Sequence, residues 1–214
     1  MKKEKTPFLE QAANFGFVCW YPEESCYVNL AGNYDYLEQP YYTSQEYELA
    51  GHQIRPTCKE MLDSYVTPIS LEKAKLSGIK VPEYYLSNGY FEPPVVIDTI
   101  NPFMTKSRIV TKSNRVSVTS KSLTRNFTYA ICCQEIPQGA QVKKFRAVMG
   151  WSTIKQYRPM AKAIWDVFHI PLATIRIMVY SDGTIALSDI SRLPIKQLGV
   201  KEQKYLQEII EWQS

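Results

Sequence analysis

The chain has few of the residues that mark common metal and nucleophilic sites. Only two histidines occur, His52 and His169. The five cysteines, at 19, 26, 58, 132 and 133, form no Cys-x-x-Cys pair, so no local zinc spacing exists. Cys132 and Cys133 are adjacent in an apolar run; on a strand they would face opposite sides and could not clip one ion. An odd cysteine number suits reduced thiols better than a disulfide framework. No metal ligand and no catalytic residue is assigned. The nine glycines make no Walker-type phosphate loop. No apolar run approaches the ~20 residues of a bilayer span, so no membrane partner is expected. The N-terminus, MKKEKTPFLEQAANFG, has the charges of a signal peptide without its apolar core, and a cytoplasmic location is the expectation. Internal repeats and low-complexity tracts are absent too.

What is present is a globular composition. Of 214 residues, 45% are hydrophobic and four are Trp, enough chain for one large domain or two small ones. Charge is unevenly placed. The net charge is −6 over residues 1–98, +11 over 99–165, where Glu135 is the single acid, and −1 over 166–214. The middle third is a cationic stretch that asks for an anionic partner.

The most informative stretch is Tyr27 to Asp63. A short apolar run ends at Asn29-Leu30-Ala31 and breaks at Gly32-Asn33. A tyrosine-rich loop follows, then a helical register over about Thr43–Ala50 with Gly51 as its stop. A second strand, His52–Pro56, precedes a helix from near Thr57. Asn14–Trp20 reads as another strand, and the three would open a parallel layer. A helix with Met61, Leu62 and Tyr65 on one face is followed by another over LEKAKLSG. Residues 79–105, with four prolines, read as an irregular connector between two halves.

Beyond it, Ser107–Ser120 alternates apolar and polar residues, the period of half-exposed strands. Leu123–Gln134 and Val142–Trp151 read as further strands. Ile154–Phe168 carries the best helical spacing, with Pro159 in its first turn. Thr174–Tyr180 and Thr184–Ile190 form a hairpin around Ser181-Asp182-Gly183, and Lys201–Trp212 closes the chain as a helix. The expected class is α+β. A small parallel α/β half over 1–98 precedes an antiparallel sheet with packed helices over 99–214, and the two halves could form one continuous domain.

Several features together resemble the N-terminal domain associated with RimK-like ATP-grasp ligases. They are Asn29-Leu30 at a strand end, the spaced Tyr34 and Tyr36, the pair Tyr41-Tyr42 opening a helix, Gly51-His52, and the strand end Pro56. The run YRPMAKAIWDVFHIPLATIRI, with Tyr157, Ala161, Phe168, Pro171-Leu172 and Arg176, resembles the family as well. The likeness covers most of residues 26–195. It departs at Val148-Met149-Gly150-Trp151, where the family has a Tyr-Phe-Gly element. The resemblance implies an accessory or substrate-recognition role beside an ATP-grasp carboxylate–amine ligase acting on peptides or amino acids. No catalytic ATP-grasp domain is expected in the chain. ATP and magnesium would belong to a partner ligase domain, so the chain is not expected to catalyse alone.

The candidate substrate- or partner-binding residues follow. Asn29, Asn33, Tyr34, Tyr36, Tyr41 and Tyr42 stand where parallel layers place ligands, beyond a strand's carboxyl end. Asn29 could equally cap its own turn, and the tyrosines could be packing. Arg125, Arg146, Arg158 and Arg176 are the candidates for gripping an anion, because the guanidinium fork binds carboxylate or phosphate bidentately; structural salt bridges are the alternative. The expected partner is an ATP-grasp ligase or an acidic peptide substrate. A nucleic-acid-binding protein using 99–165 is the second reading, and a cysteine enzyme paired with His52 or His169 is the third.

Overall fold

A computed structural model describes residues 6–36, 38–100 and 106–212. It has the α+β architecture expected, divided into two compact units that alternate along the chain. The first unit holds residues 1–65, 145–175 and 190–214; the second holds 66–144 and 176–189. The connector read at 79–105 therefore falls inside the second unit.

In the first unit, helix α1 (Pro7–Asn14) precedes strands β1 (Val18–Tyr21) and β2 (Cys26–Asn29). After helix α2 (Gln39–Leu49) comes β3 (Ile54–Arg55), followed by α3 (Cys58–Tyr65). β2 pairs parallel with β3, Tyr27 opposite Ile54, as the sequence pattern implied. β1 instead pairs antiparallel with β2, Val18 opposite Asn29, so the layer is mixed. Only four residues, Pro22 to Ser25, join the two strands, too few for a parallel crossover. α2 begins four residues ahead of the expected Thr43, because Pro40 fits a helix's first turn, where its missing N–H costs little.

The same unit contains α6 (Arg158–Phe168), which buries Ala161, Ile164, Trp165 and Phe168 along one face and ends at His169 in a left-handed conformation, φ 50°. α7 (Val200–Ile209) buries Leu206. The core gathers Phe8, Ala12, Val28, Leu30, Leu172, Leu193 and Leu206. At Gly32 the backbone runs against residue 193. Leu193 N–H donates to Gly32 O at 3.0 Å, and a Cβ on Gly32, φ +76°, would sit 1.9 Å from Leu193 O. No residue but glycine fits.

The second unit opens with α4 (Thr67–Leu76). Its sheet has the order β4-β7-β5-β6, from β4 (Tyr84–Ser87), β7 (Ile131–Glu135), β5 (Val95–Thr99) and β6 (Ser107–Val110), and every pairing is antiparallel. Two expectations change here. β5, placed in the irregular connector, is a buried strand, because Val95, Val96 and Ile97 form a short apolar run after the Pro93-Pro94 stop. Beyond β6, the stretch read as strand turns into helix α5 (Val116–Leu123), with Thr119, Ser120 and Leu123 on its buried face. The packing of that face overrides the β-propensity of its valines. Strands β8 (Gln141–Val148), β9 (Leu172–Val179) and β10 (Ile185–Arg192) form a third sheet in the order β10-β9-β8.

Candidate functional site

A cleft of about 520 Å³ opens in the first unit beyond the carboxyl end of β2. Asn29, Ala31 and Asn33 line it from the strand end and loop. Gln39, Pro40 and Thr43 line it from α2, Leu9, Ala13, Gly16 and Phe17 from α1 and its terminal turn, and Pro194, Ile195 and Lys196 from the late segment. Two backbone bonds draw that segment in, Leu193 N to Gly32 O at 3.0 Å and Ile195 N to Ala31 O at 3.2 Å.

Asn29 is buried, and its polar atoms are all engaged. Its Nδ2 donates to Pro40 O at 2.9 Å and to Ser44 Oγ at 3.2 Å, while its Oδ1 accepts from Ala31 N at 3.1 Å. Asn29 thus fixes the start of α2 against the strand end and shapes the cleft wall. Tyr34 is buried too; its hydroxyl donates to Asn29 O at 2.7 Å, and burial pushes its pKa well above the ordinary tyrosine value. The enclosed Oδ1 of Asn33 has no donor among the described residues, a deficit of about 1–3 kcal/mol. Lys196 is exposed and is the charged side chain lining the cleft.

The remaining candidates lie elsewhere. Tyr36, Tyr41 and Tyr42 make edge-to-face contacts in series, with ring centroids 5.8 and 5.6 Å apart, and none of the three lines the cleft. The four arginines do not converge. Arg146 donates to Gln197 O at 2.9 Å and pairs with Glu202 at 3.2 Å. Arg158 donates to Ser152 O at 2.9 Å and lies over the Trp151 ring, 5.2 Å from its centroid. Arg125 is exposed in the second unit, 5.9 Å from the Tyr129 ring centroid.

Arg176 is only 2% exposed and sits in a closed network. Its Nη1 and Nη2 bind Asp98 Oδ1 and Oδ2 at 2.9 and 2.6 Å, and its Nε donates to Ser188 Oγ at 2.8 Å. Ser107 Oγ accepts from Nη1 at 2.6 Å, and Gln134 Nε2 donates to Asp98 Oδ2 at 2.8 Å. Asp189 is drawn into the same field. Burial raises its pKa, the Arg176 charge opposes that rise, and the Asp98 charge adds to it.

A second cluster lies in the first unit. Glu60 accepts from Arg55 and from Thr57 N at 2.8 Å, and its Oε1 is 2.8 Å from His169 Nδ1. Burial alone would raise Glu60, but the nearby His169 Nδ1, the bond from Thr57 N and the Arg55 charge hold it below the usual carboxylate value. The thiols offer no ready nucleophile. Burial pushes Cys26 and Cys58 up to about 11 and Cys133 to about 12, so each is protonated near neutrality.

The sequence reading missed α1 as a wall of the cleft, and with it Gln39, Thr43 and Lys196. One signal for α1 was available: Thr6-Pro7 at a helix start, Phe8 and Ala12 four apart, and Gly16 as the stop. Nothing local could have brought Lys196 to Asn33.

No protein-family model matches the sequence, and the search of curated proteins gives no match. Solved structures do match, and the class they define is the ATP-grasp ligase fold. The chain is similar to D-alanine–D-alanine ligase from Helicobacter pylori, at 13% identity, 78% of this chain, 67% of that one and a TM-score of 0.57. It is also similar to a RimK-domain ATP-grasp protein from Sphaerobacter thermophilus, at 11%, 78%, 72% and 0.54. For the L-amino acid ligase from Bacillus licheniformis the values are 10%, 71%, 45% and 0.50. The chain spans 58% of the length of PsnB, an ATP-grasp ligase solved with precursor peptide, at 12% identity, 72% of this chain and a TM-score of 0.47. At these identities the likeness establishes the fold alone. Residues 1–98 make up less than half of the chain, so a likeness over 78% of it extends past them.

An ATP-grasp fold raises the matter of ATP and magnesium. Among the described residues no group of three His, Cys, Asp or Glu side chains is placed to hold a metal ion. In the buried network of the second unit, both Asp98 oxygens are gripped by Arg176. A carboxylate held bidentately by a guanidinium has little left to offer a hard cation. Among the described residues no helix is long and apolar enough to cross a membrane.

Proposed function

We propose that the chain is a substrate-recognition module that works with an ATP-grasp carboxylate–amine ligase in peptide or amino-acid modification. The cleft beyond β2 is the place where part of that substrate sits. The carrying observation is the composition of the cleft wall: apolar Leu9, Phe17, Pro40 and Ile195 beside amide-bearing Asn33 and Gln39, with Lys196 as a cation. Such a surface accepts a neutral side chain together with a carboxylate or peptide carbonyl. The ligase fold supports the setting, and the neighbours named above include an L-amino acid ligase and a D-alanine–D-alanine ligase. ATP and magnesium belong, in this reading, to the partner ligase.

Two titrations test it. Neutral dipeptides added to the chain are expected to bind, with Lys196→Gln weakening them, since an exposed charge pair contributes about 0–1 kcal/mol. ATP with magnesium is expected not to bind at micromolar concentration, roughly −8 kcal/mol. Micromolar nucleotide binding, or amide formation by the chain alone, would overturn the accessory role.

A further inference from the structure

We propose a second binding surface, in the second unit, on α5 and the loop that follows it, fitted to an acidic peptide segment carrying apolar side chains. The first observation is backbone conformation. Arg125, Asn126 and Phe127 are three successive non-glycine residues in the left-handed region, with φ of 48°, 61° and 67°. L-residues avoid that region, and a run of three is held only where surrounding bonds enforce it. Here those bonds are present. Asn126 N donates to Lys121 O at 2.8 Å, Phe127 N to Thr124 Oγ1 at 2.7 Å, and Tyr129 N to Thr124 O at 2.8 Å.

What the strained turn achieves is display. Phe127 is 49% exposed, and Arg125 leans over Tyr129 at 5.9 Å. Phe127 also borders Gly89, next to Tyr90, which is 70% exposed. An exposed aromatic patch held in place by an unfavourable backbone has no evident use in folding. The second observation is charge. Lys121 and Arg125 make no ion pair with any described residue, and Arg108, Lys112 and Arg115 on the neighbouring segments are exposed as well. Apolar rings among unpaired cations, in a stretch where Glu135 is the single acid, complement a chain that alternates carboxylates with apolar side chains. The cleft is a separate site in the other unit; this surface rests on the proposed function only for the origin of the peptide.

The test uses the full chain and three labelled probes read by fluorescence anisotropy: a peptide alternating Glu and Leu, one alternating Glu and Ser, and a single-stranded oligonucleotide. The Glu/Leu peptide is expected to bind best. Phe127→Ser should weaken it roughly 10-fold, as for one buried aromatic, Arg125→Gln about 3-fold, and Lys143→Gln not measurably. Phe127→Gly separates function from folding. Glycine relieves the left-handed strain, so its melting temperature should rise by about 2–8 °C while peptide binding falls. Equal binding of the Glu/Leu and Glu/Ser peptides, insensitivity to Phe127→Ser, or a fall in melting temperature for Phe127→Gly would overturn the proposal. So would tighter oligonucleotide binding with a steep salt dependence, weakened alike by Lys and Arg changes. Any of these results leaves dipeptide binding in the cleft untouched, and a failed cleft titration leaves this surface untouched.

Discussion

Replacing Arg176 by methionine tests how the second unit is held together. Arg176 is the cation of a buried network in which Asp98 accepts two of its bonds, Ser188 accepts from Nε, and Asp189 lies within its field. Methionine keeps much of the side-chain volume and removes every donor. Breaking a buried pair by deleting one partner leaves an uncompensated charge and costs about 3–5 kcal/mol. For a chain of this size that is a fall in melting temperature of roughly 6–20 °C. The loss should depend on pH in a defined direction. Burial already raises Asp189 and Arg176 is what opposes it, so without Arg176 the Asp189 carboxyl is favoured neutral. A raised folded pKa gives stability that is present below the unfolded value, about 3.9, and is lost as pH rises through the folded value. The deficit of Arg176→Met should therefore be larger at pH 7 than at pH 4 in urea unfolding. The double variant Asp98→Leu/Arg176→Met should recover part of it, because apolar replacement of a whole buried pair is often close to neutral. A single variant that loses less than about 1 kcal/mol, or a deficit that grows toward low pH, would refute the reasoning.

Gly32→Ala should destabilise the first unit by more than about 2 kcal/mol, since its Cβ would meet Leu193 O at 1.9 Å; thermal unfolding reads this directly. Tyr34→Phe removes the bond to Asn29 O and should cost about 1 kcal/mol, measured by urea midpoint. Glu60 has a lowered pKa, so its contribution is present above the unfolded value of about 4.3 and is lost as pH falls through the folded value. Glu60→Gln should accordingly be destabilised at pH 7 and approach the parent near pH 3. Alkylation of the native chain at pH 7.5 should be slow at every cysteine and fastest at Cys58, the one thiol that is not buried; rapid labelling of Cys26 would contradict its burial.

Local chemistry by itself determined a good deal. The parallel pair β2–β3, the amphipathic α6 with proline in its first turn, the hairpin joining β9 and β10, and α7 all follow from apolar period and turn residues, which act over a few positions. Asn29 and Asn33 were legible as residues at a strand's end, and the cationic stretch needed only a count of charges. Tertiary structure decided what those residues touch. Asn29 spends its polar atoms on Pro40, Ser44 and Ala31, and Arg176 meets Asp98 across 78 residues of chain. Lys196 joins the cleft because Leu193 pairs with Gly32. The valines near 116–118, which favour strand by propensity, sit in a helix because Thr119, Ser120 and Leu123 have a core to cover. A side chain's own preferences are worth tenths of a kcal/mol to about one, whereas burying a large apolar side chain contributes about 1.5–3 and leaving a buried charge unpaired costs about 3–5. Where distant segments meet, burial and buried-charge pairing outweigh local preference, and both are fixed only once the chain has folded.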